Sequence, residues 1–480
     1  MTMNHWWQDA FFYHIYPLGF CGAEAENPDP GGSGEHNGNG GDPDPAPDAP
    51  LGLIETALDD IRATGCTAIY LGPVLESTSH GYDTADYYRV DRRLGGADDL
   101  RRLVERVHQA GMHVILDGVF HHVGRDFWAF RDLRVNGASS AYRSWFRGVD
   151  FSSDNRFGDG FVYHAWEGHE ELVALDLTNP DVVEHILGAV EWMMRDLDID
   201  GLRLDVAYLL DGGFMELLRA RTDAVSAETG TEGFWLMGEA IHGDYTEIAS
   251  PNRLHSATNY ECYKGLWSSH NDRNFFEIAH SLSRQFGPGG IYEALLLYNF
   301  ADNHDVDRVA SVLDEPAHLY SLYALLMTMP GIPSVYYGSE YAAQGARSNG
   351  SDRDLRPRWA DIDRRDPTLR DFLAKLAALR HAHPALRLGD YRQLHVDHTT
   401  LVFARETDEE RLIVAVNAAD TGTEVEIDMR SGGESTGTAG AGRSPVTCVS
   451  LFDPGQEMPV THGRAAVTVP ASGCEILRLD

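Results

Sequence analysis

Lysine is nearly missing from this 480-residue chain: Lys264 and Lys375 are the only two, and every other basic residue is arginine. Basic residues number 39 against 74 acidic ones, a formal charge of −35. Phosphate backbones and anionic lipid surfaces are bound by clustered Lys and Arg. No nucleic acid and no membrane is therefore expected as a partner. Cysteine is also scarce. Cys21, Cys66, Cys262, Cys448 and Cys474 are odd in number and scattered, unlike a disulfide framework with short spacings. They are expected reduced and mostly interior, although Cys448 and Cys474 lie in the same terminal segment. No run approaches the roughly 20 apolar residues that span a bilayer. The opening MTMNHWWQDAFFYHIYPLGF has no basic start, no long apolar core and no small-residue cleavage site, so it does not read as a secretory signal. The expectation is a cytoplasmic protein.

What the chain does have is a rhythm. Short apolar runs alternate with amphipathic segments from about residue 11 to about 385. The runs Phe12–Leu18, Ala68–Leu71, His113–Leu116, Leu202–Leu204, Trp235–Met237, Ser256–Tyr260, Leu295–Tyr298 and Ser334–Tyr337 read as strands. Leu53–Gly65, Asp98–Ala110 and Asp181–Leu197 read as helices. Eight such units imply an α/β fold, a closed parallel (β/α)8 TIM barrel with helices outside. Between Val119 and Leu177 the rhythm fails, and a small subdomain is expected after the third strand. From Leu388 onward short alternating runs separated by Gly and Ser turns imply a C-terminal antiparallel β-sandwich. The expected boundaries are 1–118 and 178–387 for the barrel, 119–177 for the insertion and 388–480 for the sandwich. Gly22–Pro50 and Gly432–Gly442 read as long loops. The first is acidic but lacks the alternating ligand spacing of a calcium loop.

Four acidic residues stand at or just after predicted strands: Asp117, Asp205, Glu239 and Asp305. In a parallel barrel the C-terminal strand ends form the face on which active sites are built. A single Asp there is more often a turn or helix cap. Four of them in register are a candidate site.

Their surroundings carry a resemblance. DGVFHH at Asp117–His122, GLRLDVA at Gly201–Ala207, Gly238-Glu239 and FADNHD at Phe300–Asp305 appear in the order of the signature segments of the α-amylase family of glycoside hydrolases (family 13). HGYDTADYY at His80–Tyr88 and GIPSVYYGSE at Gly331–Glu340 match as well. The resemblance implies a barrel, a subdomain after strand three and a C-terminal β-sandwich, in agreement with the periodicity. It implies a retaining glycosidase with Asp205 as nucleophile, Glu239 as acid/base and Asp305 as third carboxylate. Arg203 shares the face of Asp205 because strand side chains alternate, and its cation would keep Asp205 ionised. Asp117, Tyr82, His122 and His304 are implied to bind the sugar at the cleavage point, with Tyr82 stacking on it. Asp352 and Arg356 match a D-x-x-x-R pair that binds the next sugar in related exo-acting enzymes. A surface ion pair is the alternative reading of that pair. Tyr208, Ile241 and His242 are expected on the leaving-group side, where packing at the rim is the competing role.

Some positions depart from the family. His121 and Ala174 stand where α-amylases place an Asn and an acidic ligand for a structural Ca²⁺, so no metal and no cofactor is expected. The doublet His121-His122 is not expected to hold zinc, since neighbouring side chains on a strand end point apart. Asp176 replaces a frequent Asn, without a physical account.

The chain most resembles the cyclomaltodextrinase, neopullulanase and maltogenic-amylase group, and Val206 matches members that accept α-1,6 as well as α-1,4 bonds. The first barrel strand begins near Phe11, so the extra N-terminal domain of that group is not expected. The implied substrate is a neutral oligosaccharide: a short or cyclic maltodextrin such as a cyclodextrin or cyclic maltosyl-maltose. A transglycosylase or isomerising relative shares the same first half-reaction and stays open. So does a homodimer. A non-catalytic scaffold is disfavoured by the presence of all three acids.

Overall fold

The computed structural model describes residues 5–28, 50–348, 350–428 and 447–479. Most of the Gly22–Pro50 loop and the whole Gly432–Gly442 run lie outside the described residues. Eight parallel strands form one sheet: β1 (Phe12–Ile15), β2 (Ala68–Leu71), β3 (His113–Gly118), β4 (Gly201–Leu204), β5 (Trp235–Gly238), β6 (Ser256–Ala257), β7 (Tyr298–Phe300) and β8 (Ile332–Tyr336). Each pairs with the next, β8 pairs with β1, and a parallel bridge between Thr258 and Tyr298 joins β6 to β7. The sheet is therefore closed.

Alternation along these strands builds two cores. Phe12, Ala68, Tyr70, Ile115, Trp235, Met237, Phe300 and Ile332 fill the barrel. Tyr13, Ile69, Leu71, Val114, Leu116, Leu202, Leu204 and Leu236 belong to the cluster shared with the surrounding helices. Strands buried on both faces read as continuous apolar runs, as parallel barrel strands do. Trp6 and Trp7, in a short helical turn, close the lower end; Trp6 stacks on His113 at 4.2 Å. Asp117, Arg203, Asp205 and Glu239 continue the inward series past the apolar layer, at the C-terminal ends of β3, β4 and β5.

Three strand predictions need correction. β1 stops at Ile15, because Pro17 starts the short helix Pro17–Phe20 and a proline ring suits the first helical position. β6 stops at Ala257, because Asn259 caps the helix Tyr260–Asn271 by accepting the Cys262 N–H (3.2 Å). β7 lies later than Leu295–Tyr298, since the unbroken run ALLLY has no alternation to fix its register.

Between β3 and β4 lie the helix Trp128–Asn136 and a three-stranded antiparallel sheet of His122–Gly124, His169–Ala174 and Ala165–Trp166. After the barrel, a six-stranded sheet is built from Asp390–Val396, Thr400–Glu406, Arg411–Asn417, Gly473–Leu479, Thr447–Ser450 and Glu457–Pro459. A two-stranded sheet, Thr423–Asp428 with Arg464–Val469, faces it. Leu401, Phe403, Leu412 and Val414 turn toward the barrel, while Val402, Ala404, Ile413 and Ala415 turn toward Val425, Ile427 and Val467. Cys448 and Cys474 fall on opposite sides of this division, and among the described residues no disulfide joins any two of the five cysteines. Among the described residues no helix is long and apolar enough to cross a membrane.

Candidate active site

The site is organised by one buried guanidinium. Asp117 and Arg203 are register partners on β3 and β4. Nη1 of Arg203 donates to Asp117 Oδ1 and to Asp205 Oδ1, both at 2.8 Å. Its Nη2 lies 2.8 Å from Oε1 of Glu239. Three carboxylates from the ends of three adjacent strands thus share one cation. Arg203 is only 3% exposed, Asp205 6% and Glu239 5%. The other oxygen of Asp117 accepts the hydroxyls of Tyr70 (2.8 Å) and Tyr82 (2.9 Å).

Burial pushes the Asp205 carboxyl well above the usual carboxylate range, Arg203 pulls it back, and Glu239, Asp117 and Asp305 push it up again. Arg203 thus acts on Asp205 in the expected direction but does not outweigh burial, and the same cation is divided among three partners. Asp305 follows the opposite course. Burial opposes its ionisation, but His304, Arg356 and Arg203 hold it well below the ordinary value. Oδ2 of Asp305 lies 2.8 Å from His304 Nε2, and Oδ1 accepts Arg356 Nη2 at 3.0 Å. His304 also contacts the Tyr82 hydroxyl and lies parallel to that ring, with centroids 5.4 Å apart. His122 stands 3.9 Å from Asp205 through Nε2, and burial pushes its imidazole down to about 3, so it is neutral near pH 7.

Asp352 and Arg356 do pair, at 3.3 Å, and Arg356 links the pair to Asp305. Tyr208 and His242 meet at the rim with ring centroids 5.0 Å apart, and Ile241 beside them is 45% exposed. Every residue expected to cleave or bind the sugar except Asp117, Arg203, His242 and His304 lines one cavity of about 1910 Å³, and those four contact residues that do.

Other contributors were not singled out. Tyr70 holds Asp117, and its inward position on β2 was readable from strand alternation. Tyr260, the first residue of its helix, sends its hydroxyl to Glu239 Oε1 (3.4 Å) and receives the Asn303 amide (3.2 Å). Trp166 enters the cavity from the segment between β3 and β4 and packs 5.9 Å from His122. Arg347 donates to Asp352 (2.6 Å) and to the Asp305 carbonyl (3.1 Å) from a loop with no local signal.

The Ca²⁺ implied by the family does not fit these residues. The Ala174 carbonyl accepts the Arg147 N–H (3.0 Å), and the His121 carbonyl accepts the Leu175 N–H (3.0 Å). Burial and the Arg147 charge push the His121 imidazole down to about 4. A cationic neighbour and no carboxylate ligand are the wrong donor set for a hard dication. His121 and His122 do not point apart as expected: their Nδ1 atoms approach to 3.3 Å. Among the described residues no group of three His, Cys, Asp or Glu could hold a metal.

Comparison with known proteins agrees with this geometry. The family description "Alpha amylase, catalytic domain" matches residues 42–398. A cyclomaltodextrinase from Geobacillus thermopakistaniensis is 28% identical over 465 residues, covering 93% of this chain and 76% of its own. An intracellular maltogenic amylase from Bacillus subtilis is 27% identical over 86% of this chain and 69% of its own. Among solved structures, cyclic alpha-maltosyl-(1→6)-maltose hydrolase from Arthrobacter globiformis superposes with a TM-score of 0.75 at 26% identity, over 99% of this chain and 100% of that one.

Proposed function

The chain belongs to the α-amylase family, and from that premise we propose that it is a retaining α-glucan hydrolase acting on short or cyclic maltodextrins, cleaving α-1,4 bonds, α-1,6 bonds or both. The observation that carries the reading is Arg203 joined at 2.8 Å to both Asp205 and Glu239. A retaining mechanism needs two carboxyl groups only about 5 to 5.5 Å apart, and groups sharing one guanidinium are held close.

In this reading Asp205 attacks the anomeric carbon while Glu239 protonates the departing oxygen. Water, deprotonated by Glu239, then breaks the glycosyl–enzyme bond. Asp305, kept ionised by Arg356 and His304, faces the positive charge that develops on the sugar. Neutral His122 donates a hydrogen bond to a sugar hydroxyl without adding charge. The linked residues Arg347, Asp352 and Arg356 wall the cavity beside Asp305, which favours short glycone chains. The rim formed by Tyr208, Ile241 and His242 receives the leaving group. The likeness to intracellular maltogenic amylases supports a cytoplasmic location, and a homodimer is the simplest assembly open to the chain.

The test is a time course on cyclodextrins, linear maltodextrins, cyclic maltosyl-maltose and panose, with products identified and maltose added as acceptor. Maltose-sized products are expected. Longer or rearranged sugars as the main product would replace the hydrolase with a transglycosylase.

A further inference from the structure

The geometry points to a second binding site, for a tetrahedral oxyanion of the phosphate or phosphate-monoester type, in the segment between β3 and β4. It is a cavity of about 530 Å³ that shares no lining residue with the catalytic one; its polar side chains are Arg143, Ser144, Arg147, His164, Asp176 and Thr178.

Many arginines in this acidic chain are spent on carboxylates, as Arg92 is on Glu76, Arg221 on Glu184 and Arg392 on Glu406. Among the described residues Arg143 and Arg147 have neither an ion pair nor a side-chain hydrogen bond. Both are exposed side chains that line one cavity, and an oxyanion between them would engage both forks. The one carboxylate in the wall is committed to a turn: Asp176 Oδ1 accepts the Thr178 N–H (3.1 Å) and its hydroxyl (2.7 Å). Ser144 Oγ accepts the Asn179 amide (3.2 Å), leaving its own proton to donate.

The wall is also held in place. The His164 N–H donates to the Arg147 carbonyl (2.8 Å), and the Ala174 N–H donates to the His164 carbonyl (3.0 Å). Gly148 is in the left-handed region at φ +67°, and a Cβ there would lie 2.4 Å from the His164 ring. Only glycine leaves room for the imidazole against that backbone.

Isothermal titration of the full chain at constant ionic strength, with inorganic phosphate, sulfate and glycerol 3-phosphate, tests the site. Saturable binding at one site is expected, weakened about tenfold or more in Arg143→Ala/Arg147→Ala. Arg89→Ala, which removes an unpaired arginine outside the cavity, should bind like the parent. Retained maltodextrin hydrolysis checks that each variant is folded. If the double alanine variant does not fold, Arg143→Lys/Arg147→Lys decides, since it keeps the charge and loses the forks. The relative affinities of the three anions separate a free-anion site from a phosphate-ester site. Unsaturable heats, or equal affinity in the arginine variants, would overturn the proposal.

Discussion

Val206 donates its backbone N–H to Oε2 of Glu239 at 3.0 Å while its own backbone lies in the left-handed region, at φ +42°. A β-branched residue there costs about 1–2 kcal/mol. The strain is held by the turn from Asp205 into the short helix Ala207–Leu209 and by burial of the Val206 side chain, 4% exposed. Val206→Gly relieves the strain, but it gives up buried methyl groups and the fixed direction of the N–H. The melting temperature should change little, because those terms offset. The kcat should fall by about tenfold with a smaller change in KM. An unchanged kcat would mean that this contact does not orient Glu239.

Asp205→Asn and Glu239→Gln should each lower kcat roughly a thousandfold or more while near-UV circular dichroism stays native. Arg203→Lys tests the bridge between them. A lysine is a point charge and cannot divide itself among three carboxylates as the fork does. Both activity and melting temperature should drop, since buried carboxylates would lose their partner. If Arg203→Lys keeps parental stability, the shared cation is not what holds the site together.

A buried histidine makes stability depend on pH. His270 is fully buried, with Nδ1 2.6 Å from the Leu266 carbonyl and Nε2 3.0 Å from Ser321 Oγ. Burial pushes its imidazole from 6.5 down to about 3. Between those values the unfolded chain takes up a proton that the folded chain refuses. The His270 contribution is therefore full above pH 6.5 and is lost as pH falls toward 3. One such proton steepens the stability curve by about 1.4 kcal/mol per pH unit. His270→Gln should show a shallower acid-side fall in melting temperature than the parent, and identical slopes would contradict the assignment.

The sequence carried the inward positions of Asp117, Arg203, Asp205 and Glu239, because strand alternation and motif order both fix them. It did not carry the ends of β1, β6 and β7. Those are decided by a proline, by an asparagine cap and by an apolar run without alternation, at Pro17, Asn259 and Leu295–Leu297. Tyr260, Trp166 and Arg347 stayed illegible for another reason. They reach the cavity from a helix start and two long connections, whose paths depend on distant packing and not on local periodicity.

The junction between barrel and sandwich rests on two buried arginines. Arg405 donates to the carbonyls of Thr328, Leu386 and Gly389, and Arg380 to those of Met327, Leu386 and Gly331. Thr328 ends the helix His318–Thr328, so these guanidiniums satisfy carbonyls that the helix leaves open. Arg405→Met should lower stability by about 3–5 kcal/mol, since the carbonyls stay buried without donors. Because the cleft lies elsewhere, the kcat measured well below the melting temperature should stay within about twofold of the parent.

Glu340 should act on stability in the opposite sense to His270. It is 1% exposed, its Oε1 accepts the Tyr13 hydroxyl at 2.6 Å, and its Oε2 has no partner among the described residues. Burial raises its carboxyl from 4.5 to about 7. Between those values the folded chain holds a proton that the unfolded chain has released. The stability tied to Glu340 is therefore full below pH 4.5 and lost as pH rises through 7. Glutamine at this position cannot ionise and keeps an acceptor for Tyr13, but its amide N–H groups are buried at a cost of about 1–3 kcal/mol. That cost is the same at every pH. The benefit grows with pH, to about 3 kcal/mol once ionisation would be complete. Glu340→Gln should thus be less stable than the parent near pH 5 and equal or more stable near pH 8. The change in the gap between the two conditions isolates the carboxyl from the amide. A gap that stays constant in thermal melts at both pH values would mean that Glu340 is already ionised, or already neutral, throughout.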